Sequence, residues 1–158
     1  MRRTLAGSLA AGCLLACAGC GGAAQPTPQV DREWVDNTTG VIDQLQRDLV
    51  LGSGDGDSLA AARKTLRNGI YTLLVAYTDF GGCRHMVAAA GVAPERFAAV
   101  TRTLATACAR LERAADLFTR AASDDEASAL LQAGRLASSA APLLVRAREE
   151  LQAAATTR

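Results

Sequence analysis

The amino-acid sequence predicts an all-α protein: an up-down four-helix bundle with a kinked last helix and one disulfide. Apolar residues make up 49% of the 158-residue chain, which is enough for one packed domain. Alanine and leucine dominate this share, and aromatic residues are only 4% of the chain. Because alanine and leucine favour helices and the strand-forming residues are scarce, composition indicates helices throughout. Four segments with apolar residues at spacings of three and four supply the second observation.

The first predicted helix spans residues 31–51. Gly40 weakens its middle by up to about 1 kcal/mol relative to alanine. The glycine-rich cluster at 52–56 ends it. Its helical spacing places six residues on one face: Trp34, Thr38, Val41, Ile42, Leu45 and Leu49.

The second predicted helix spans residues 58–80, with Asp57 as its N-cap. It stops at Gly81-Gly82. The following segment, 83–93, is predicted to form a short helical turn that Gly91 terminates. The apolar stripe of the second helix comprises Leu59, Ala62, Leu66, Ile70, Leu73, Leu74 and Tyr77.

The third predicted helix spans residues 94–122. Pro94 suits its first position, because the missing N–H would have had no partner there. One face carries Phe97, Val100, Leu104, Cys108, Leu111, Ala115 and Phe118.

The fourth predicted helix starts at a capping box formed by Ser123 and Glu126. Pro142 lies inside its apolar pattern. An interior proline costs about 3 kcal/mol and removes one backbone hydrogen bond. We therefore expect a kink near 138–142, and fraying after Gln152.

The first twenty residues, MRRTLAGSLAAGCLLACAGC, have the pattern of a secretory signal. Arg2 and Arg3 form a positive start, and an uncharged apolar stretch follows them. The stretch is short and rich in glycine and alanine, whereas a membrane-spanning helix needs about 20 apolar residues. Export is therefore the prediction, and an uncleaved anchor is its alternative.

The end of this segment, Ala18-Gly19-Cys20-Gly21-Gly22, has small residues on both sides of a cysteine. It resembles the lipobox of bacterial lipoprotein signals, from which it departs by having Cys17 where an aliphatic residue is usual. The resemblance implies cleavage before Cys20 and acylation of that cysteine, for example with palmitate. Cys17, which follows Leu14-Leu15-Ala16, is the alternative acceptor.

The predicted organisation has three parts. Residues 1–19 form the signal peptide, residues 20–30 the lipidated cysteine and a flexible tether, and residues 31–158 the helical domain. Glycine and proline in GGAAQPTPQV, residues 21–30, keep the tether extended or flexible.

The cysteine count agrees with export. Of the five cysteines, Cys13 and Cys17 leave with the signal and Cys20 carries the lipid, so that Cys83 and Cys108 remain. In an oxidising compartment such a pair is expected to form a disulfide.

Charge argues against nucleic acid as a partner. Once Arg2 and Arg3 are removed from the 17 basic residues, 15 remain against 16 acidic ones. A domain with a net charge near −1 and no polybasic run lacks the footprint that nucleic acids require.

One short cluster, Cys83-Arg84-His85-Met86, has the side chains of a soft-metal site. A thiolate, an imidazole and a thioether suit copper(I). His85 is the only histidine, and a disulfide would remove the thiolate of Cys83. Cys83, His85 and Met86 are therefore weak metal candidates, and no cofactor is predicted.

No catalytic residue is predicted. Asp124 and Asp125 are explained by the predicted capping box. A serine nucleophile would need a base, and His85 is the only histidine. Helical spacing predicts Tyr71 and Tyr77 to be core residues, while the segment from Tyr77 to Phe80 also suits a ligand pocket at the end of the bundle.

The predicted function is therefore coarse. We expect a non-enzymatic lipoprotein, anchored on the extracytoplasmic face of the cell membrane by its N-terminal lipid. Its domain would act as an interaction or accessory module with an envelope protein partner. A small-ligand or metal-binding lipoprotein is the alternative, and an enzyme is the third class.

Overall fold

The computed structural model describes residues 28–52 and 58–157. All regular structure in these ranges is helical, which confirms the predicted all-α class. The predicted signal and the lipidation candidates Cys20 and Cys17 lie outside the described residues. The α-helices are α1 (Pro28–Gly52), α2 (Leu59–Asn68), α3 (Ile70–Gly81), α4 (Cys83–Ala89), α5 (Ala98–Asp124), α6 (Ala127–Ser138) and α7 (Ala141–Thr156), with a 3₁₀ turn at Glu95–Phe97.

Helix α1 begins at Pro28, three residues before the predicted start at 31, and ends at Gly52. Proline is well suited to the first turn of a helix. At the other end, a Cβ atom on Gly52 would lie 2.9 Å from Cε2 of Phe80. The absence of a side chain at Gly52 therefore lets the end of α1 approach α3 closely.

The second predicted helix is two helices, so the prediction of one helix over 58–80 is wrong. Gly69 separates α2 from α3, and its N–H donates to the carbonyl of Thr65 at 2.8 Å to close α2. Glycine costs about 1 kcal/mol inside a helix, which makes it a natural break. The N-cap is Ser58 instead of Asp57: its hydroxyl oxygen accepts from the Ala61 N–H at 3.2 Å.

The predicted helical turn after Gly82 is helix α4, and Gly91 follows it with a left-handed φ of 103°. Glycine adopts this conformation without steric cost. Pro94 then precedes the 3₁₀ turn, in which the Phe97 N–H donates to the Pro94 carbonyl at 2.9 Å. The long third helix therefore starts at Ala98, later than predicted.

The predicted capping box at Ser123 is wrong, because Ser123 lies inside α5. The buried face of α5 continues to Ala121, so the helix extends to Asp124. Asp125 ends it in the left-handed conformation, with φ of 52°, which aspartate tolerates better than most residues. Glu126 is the N-cap of α6, without a side-chain hydrogen bond to the helix backbone.

The predicted kink near Pro142 is a complete break. Helix α6 ends at Ser138, and Pro142 lies in the first turn of α7, where a missing N–H costs little. Nη1 of Arg110 on α5 donates to the carbonyl of Ser139 at 2.7 Å. The break is therefore held by α5 as well as by its own backbone.

Helix α5 is the centre of the packing, with α3, α4, α6 and α7 against it. Helix α1 packs against α3 and α7, and α2 packs mainly against α6. In residues 28–52 and 58–157 no helix is both long and apolar enough to cross a membrane. The largest fully buried apolar side chains are Phe80, Phe97, Ile42, Leu45, Leu104, Leu111, Leu144, Leu151 and Val100.

Candidate functional site

The predicted disulfide joins Cys83, the first residue of α4, to Cys108 in the middle of α5. Their Cα atoms are 5.2 Å apart, and both side chains are buried. Past Gly82 the chain continues into α4, which packs against α5, as the bridge requires. The disulfide therefore fixes α4 on the core.

The three weak metal candidates are not brought together as a site. The sulfur of Cys83 is bonded to Cys108, His85 is exposed, and Met86 is half-buried against the core. Among the residues that the structure describes, no three histidine, cysteine or acidic side chains are grouped to hold a metal ion.

The described surface has an apolar cleft beside the bridge, which we call the disulfide cleft. Its volume is about 220 Å³. Its wall on α1 is Trp34, whose ring lies 4.8 Å from the ring of Phe97, centroid to centroid. Gly91 lies opposite, where a Cβ atom would be 3.9 Å from Cδ1 of Trp34. The lining is Trp34, Arg84, Val87, Ala88, Gly91, Ala93, Thr101, Ala105 and Cys108.

Two arginines near the disulfide cleft form ion pairs. Nε of Arg84 pairs with Oε2 of Glu112 at 3.1 Å, which ties α4 to α5. Nη2 of Arg96 pairs with Oδ2 of the largely buried Asp31 at 2.8 Å, which ties the start of α1 to the 3₁₀ turn. The Arg96 guanidinium also lies 4.7 Å above the centre of the Phe97 ring, a cation–π contact.

The lining of the disulfide cleft is mainly apolar. Its lining contains no histidine, carboxylate or free thiol. Its polar side chains are Arg84 and Thr101, whose hydroxyl donates to the Phe97 carbonyl at 3.3 Å. Small ligands are generally held by apolar walls with a few polar groups that orient them, and the cleft has this composition.

A second groove, of about 390 Å³, lies between α1 and the α6–α7 break. It has no aromatic wall and no charged side chain in its lining, so it offers less to orient a ligand. The lining comprises Gln46, Leu49, Val50, Ser138, Ala141 and Val145.

An acidic pair, the buried Asp48 and the half-buried Asp79, lies between α1 and α3. Nε2 of Gln44 donates to both carboxylate oxygens of Asp48, at 3.2 and 3.1 Å, and to Oδ2 of Asp79 at 3.1 Å. Burial and the neighbouring Asp79 raise the pKa of Asp48, although the Gln44 amide and Arg47 oppose this effect. The pair is a contact between two helices, and neither carboxylate lines the disulfide cleft.

Of the two tyrosines predicted to be core residues, one is buried and the other is exposed. Tyr77 and Phe80 are buried, which confirms Tyr77 as a core residue. The prediction of Tyr71 as a core residue is wrong, because 84% of it is exposed. Tyr71 is two positions from the buried Leu73, which places it on nearly the opposite face of α3.

Comparisons of this chain with protein-family models, with curated proteins and with solved structures found no match.

Proposed function

We propose that this chain is an exported lipoprotein, held on the extracytoplasmic face of the cell membrane by acyl chains on Cys20. Its helical domain is a non-catalytic interaction module of the cell envelope. The observation that carries the proposal is the buried Cys83–Cys108 bridge. Structural disulfides persist in oxidising compartments and are rare in the bacterial cytosol. The bridge therefore supports the export that the N-terminal twenty residues predict.

The proposal extends to the architecture, an up-down four-helix bundle in which two helices are broken. The direction of each segment supports it. Tyr77 meets Phe118 and Cys83 meets Cys108, so α3 runs antiparallel to α5. The Thr103 hydroxyl donates to Glu150, and Arg110 reaches Ser139 as above, so α6–α7 also opposes α5.

Intact mass spectrometry tests the anchor. The full chain is expressed in a bacterium with a lipoprotein pathway, and its membrane fraction is measured without reductant. We expect the mass of residues 20–158 plus acyl chains, less two hydrogens for the bridge. A C20S variant should lose the acyl chains, whereas a C17S variant should keep them. A soluble wild-type protein that still carries Met1 would contradict the proposal.

We also infer a second candidate function, the binding of a small apolar ligand. The Trp34-walled disulfide cleft favours it. Native mass spectrometry of the extracted protein should then show an added mass, and its ligand should change the fluorescence of Trp34. An A105L variant fills the cleft and should abolish this binding, while A109L adds the same side chain one turn further along α5. Equal binding by both variants would exclude the cleft.

A further inference from the structure

Helix α3 has an apolar face that no other described helix covers. Tyr71, Leu74 and Val75 are 84%, 51% and 60% exposed and recur at helical spacing. We call them the α3 outer stripe. Residues on the other side of the helix, among them Leu73 and Ala76, are buried against the core. The outward side of α3 therefore carries three exposed apolar side chains, together with the exposed Thr72 and Thr78.

Three basic side chains precede the stripe on α2, namely Arg63, Lys64 and Arg67, and all are exposed. We call them the α2 basic cluster. From Ser58 to Thr78 the sequence has no acidic residue. Asp125 lines a polar pocket together with Arg63 and Arg67.

The stripe and the cluster lie on the outward sides of two successive helices. The buried Ala62 of α2 and the buried Leu73 of α3 both turn inward, since α2 packs on α6 and α3 packs on α5. At about 100° per residue, the basic positions lie roughly 100° to 200° from Ala62 around α2, and the stripe positions lie roughly 100° to 200° from Leu73 around α3. The chain has no polybasic run, and the basic and apolar side chains come from the outward sides of α2 and α3.

We propose that this side of α2 and α3 docks on a membrane surface that contains anionic phospholipids. Surface-bound helices place apolar residues at the level of the acyl-chain boundary and basic residues among the headgroups, and tyrosine is common at that depth. Each basic residue near an anionic surface adds about 1 kcal/mol, a fivefold change in affinity. A second copy of the same face would bring three basic residues and, beside them, the acidic Asp125, so that like charges would predominate between the copies.

The proposed lipid anchor and its tether would hold the domain close enough to the membrane for this contact. Only in this respect does the inference rest on the proposed function. Eight residue steps separate Cys20 from Pro28 and span at most about 29 Å. Helix α1 has 25 residues and is about 37 Å long. A tether of this length would keep the domain within its own dimensions of the bilayer.

The test is the depth of one added tryptophan in vesicles that contain brominated acyl chains, which quench tryptophans in contact with them. The full-chain Y71W variant is incorporated into vesicles of phosphatidylcholine alone, or with about one quarter phosphatidylglycerol. Trp34 is 4% exposed and serves as the internal reference. A T106W variant, at an exposed position of α5, is the matched control.

We expect quenching of the added tryptophan of Y71W in the anionic vesicles and none for T106W. Addition of R63Q and R67Q to Y71W should weaken docking by about 25-fold, from the fivefold effect of each charge, and should abolish the quenching. An unquenched Y71W tryptophan in anionic vesicles overturns the proposal. So does quenching that is equal in both lipid compositions or insensitive to the two arginines.

Failure of the lipid anchor and failure of the docking give different results. Protein that floats with both kinds of vesicle while its Y71W tryptophan stays unquenched keeps the anchor and refutes the docking. Protein without acyl chains that floats only with anionic vesicles, with Y71W quenched, supports the docking and refutes the anchor. Pairing of copies through the stripe, seen as cross-linking without quenching, refutes the membrane as the partner.

Discussion

The ring of Tyr77 on α3 lies flat against the ring of Phe118 on α5, with centroids 4.3 Å apart and planes 6° apart. The ring of Phe80 contacts the Tyr77 ring edge-on, with the two centroids 5.2 Å apart. The Tyr77 hydroxyl donates to the carbonyl of Gly52 at 3.3 Å, so it satisfies the last turn of α1. One side chain thus joins three helices, and burial raises the pKa of Tyr77 to about 12.

Replacement of Tyr77 by phenylalanine should lower the free energy of unfolding by about 1 kcal/mol, since it removes one buried hydrogen bond and keeps the stacking. Ionisation of Tyr77 also makes the free energy of unfolding depend on pH above about pH 10. The folded pKa is raised, so the wild type loses stability as the pH rises from about 10 to about 12. Y77F should lack this loss. Urea unfolding across that range measures both effects, and Y71F at an exposed position is the control.

Removal of the disulfide should cost roughly 3–4 kcal/mol, because Cys83 and Cys108 are 25 positions apart and the bridge restricts the unfolded chain. The C83A/C108A variant tests this by urea unfolding. Helix α4 should also exchange its amide hydrogens faster, since the bridge holds it on α5. Unchanged exchange in α4 would mean that the Arg84–Glu112 pair and apolar packing hold it unaided.

The acidic pair between α1 and α3 predicts a rise in stability on mild acidification. The folded pKa of Asp48 is raised, chiefly by burial, so its contribution is complete below the unfolded pKa and is lost as the pH rises through the folded pKa. D48N imitates the protonated carboxyl and should raise the free energy of unfolding at pH 7 by roughly 1 kcal/mol. Thermal unfolding between pH 4 and pH 7 measures this. D36N, at an exposed position of α1, should show no such gain.

Glu150 predicts the opposite pH dependence. Burial acts to raise its pKa, but the Thr103 hydroxyl at 2.7 Å and Nε of Arg146 at 2.8 Å together outweigh it, so the pKa is lowered. Its contribution is present above the unfolded pKa and is lost as the pH falls through the folded pKa. E150Q should destabilise the protein at pH 7 by less than about 1 kcal/mol, because Arg146 is exposed. E149Q is the neighbouring control in the same thermal unfolding series, and an equal loss in both would remove the special role of Glu150.

The fold class and the bridge followed from features that need no tertiary knowledge. Alanine and leucine content predicts helices, and elimination of the signal cysteines leaves Cys83 and Cys108 as a pair. The ends of the helices did not follow in the same way. Ser123 has the local signature of an N-cap, yet the buried face of α5 continues to Ala121 and carries the helix past it. Tertiary burial overrides a local preference of about 1 kcal/mol.

The disulfide cleft was missed for a related reason. Its wall residue Trp34 and its floor around Gly91 are far apart in sequence, and only the return of α4 along α5 brings them together. The helical spacing of Tyr77 describes a core residue and a pocket residue equally well, and the structure shows that Tyr77 is buried. Periodicity identifies the inward face of a helix, and it does not say whether neighbours leave space there.

The 3₁₀ turn at Glu95–Phe97 is where the first and last helices of the domain converge. Arg96 pairs with Asp31 near the start of α1, and α7 packs against the same turn. Helices α1 and α7 are thus both held at this turn. The domain should therefore accept circular permutation, with a short linker that joins α7 to α1 and new termini between Gly52 and Ser58.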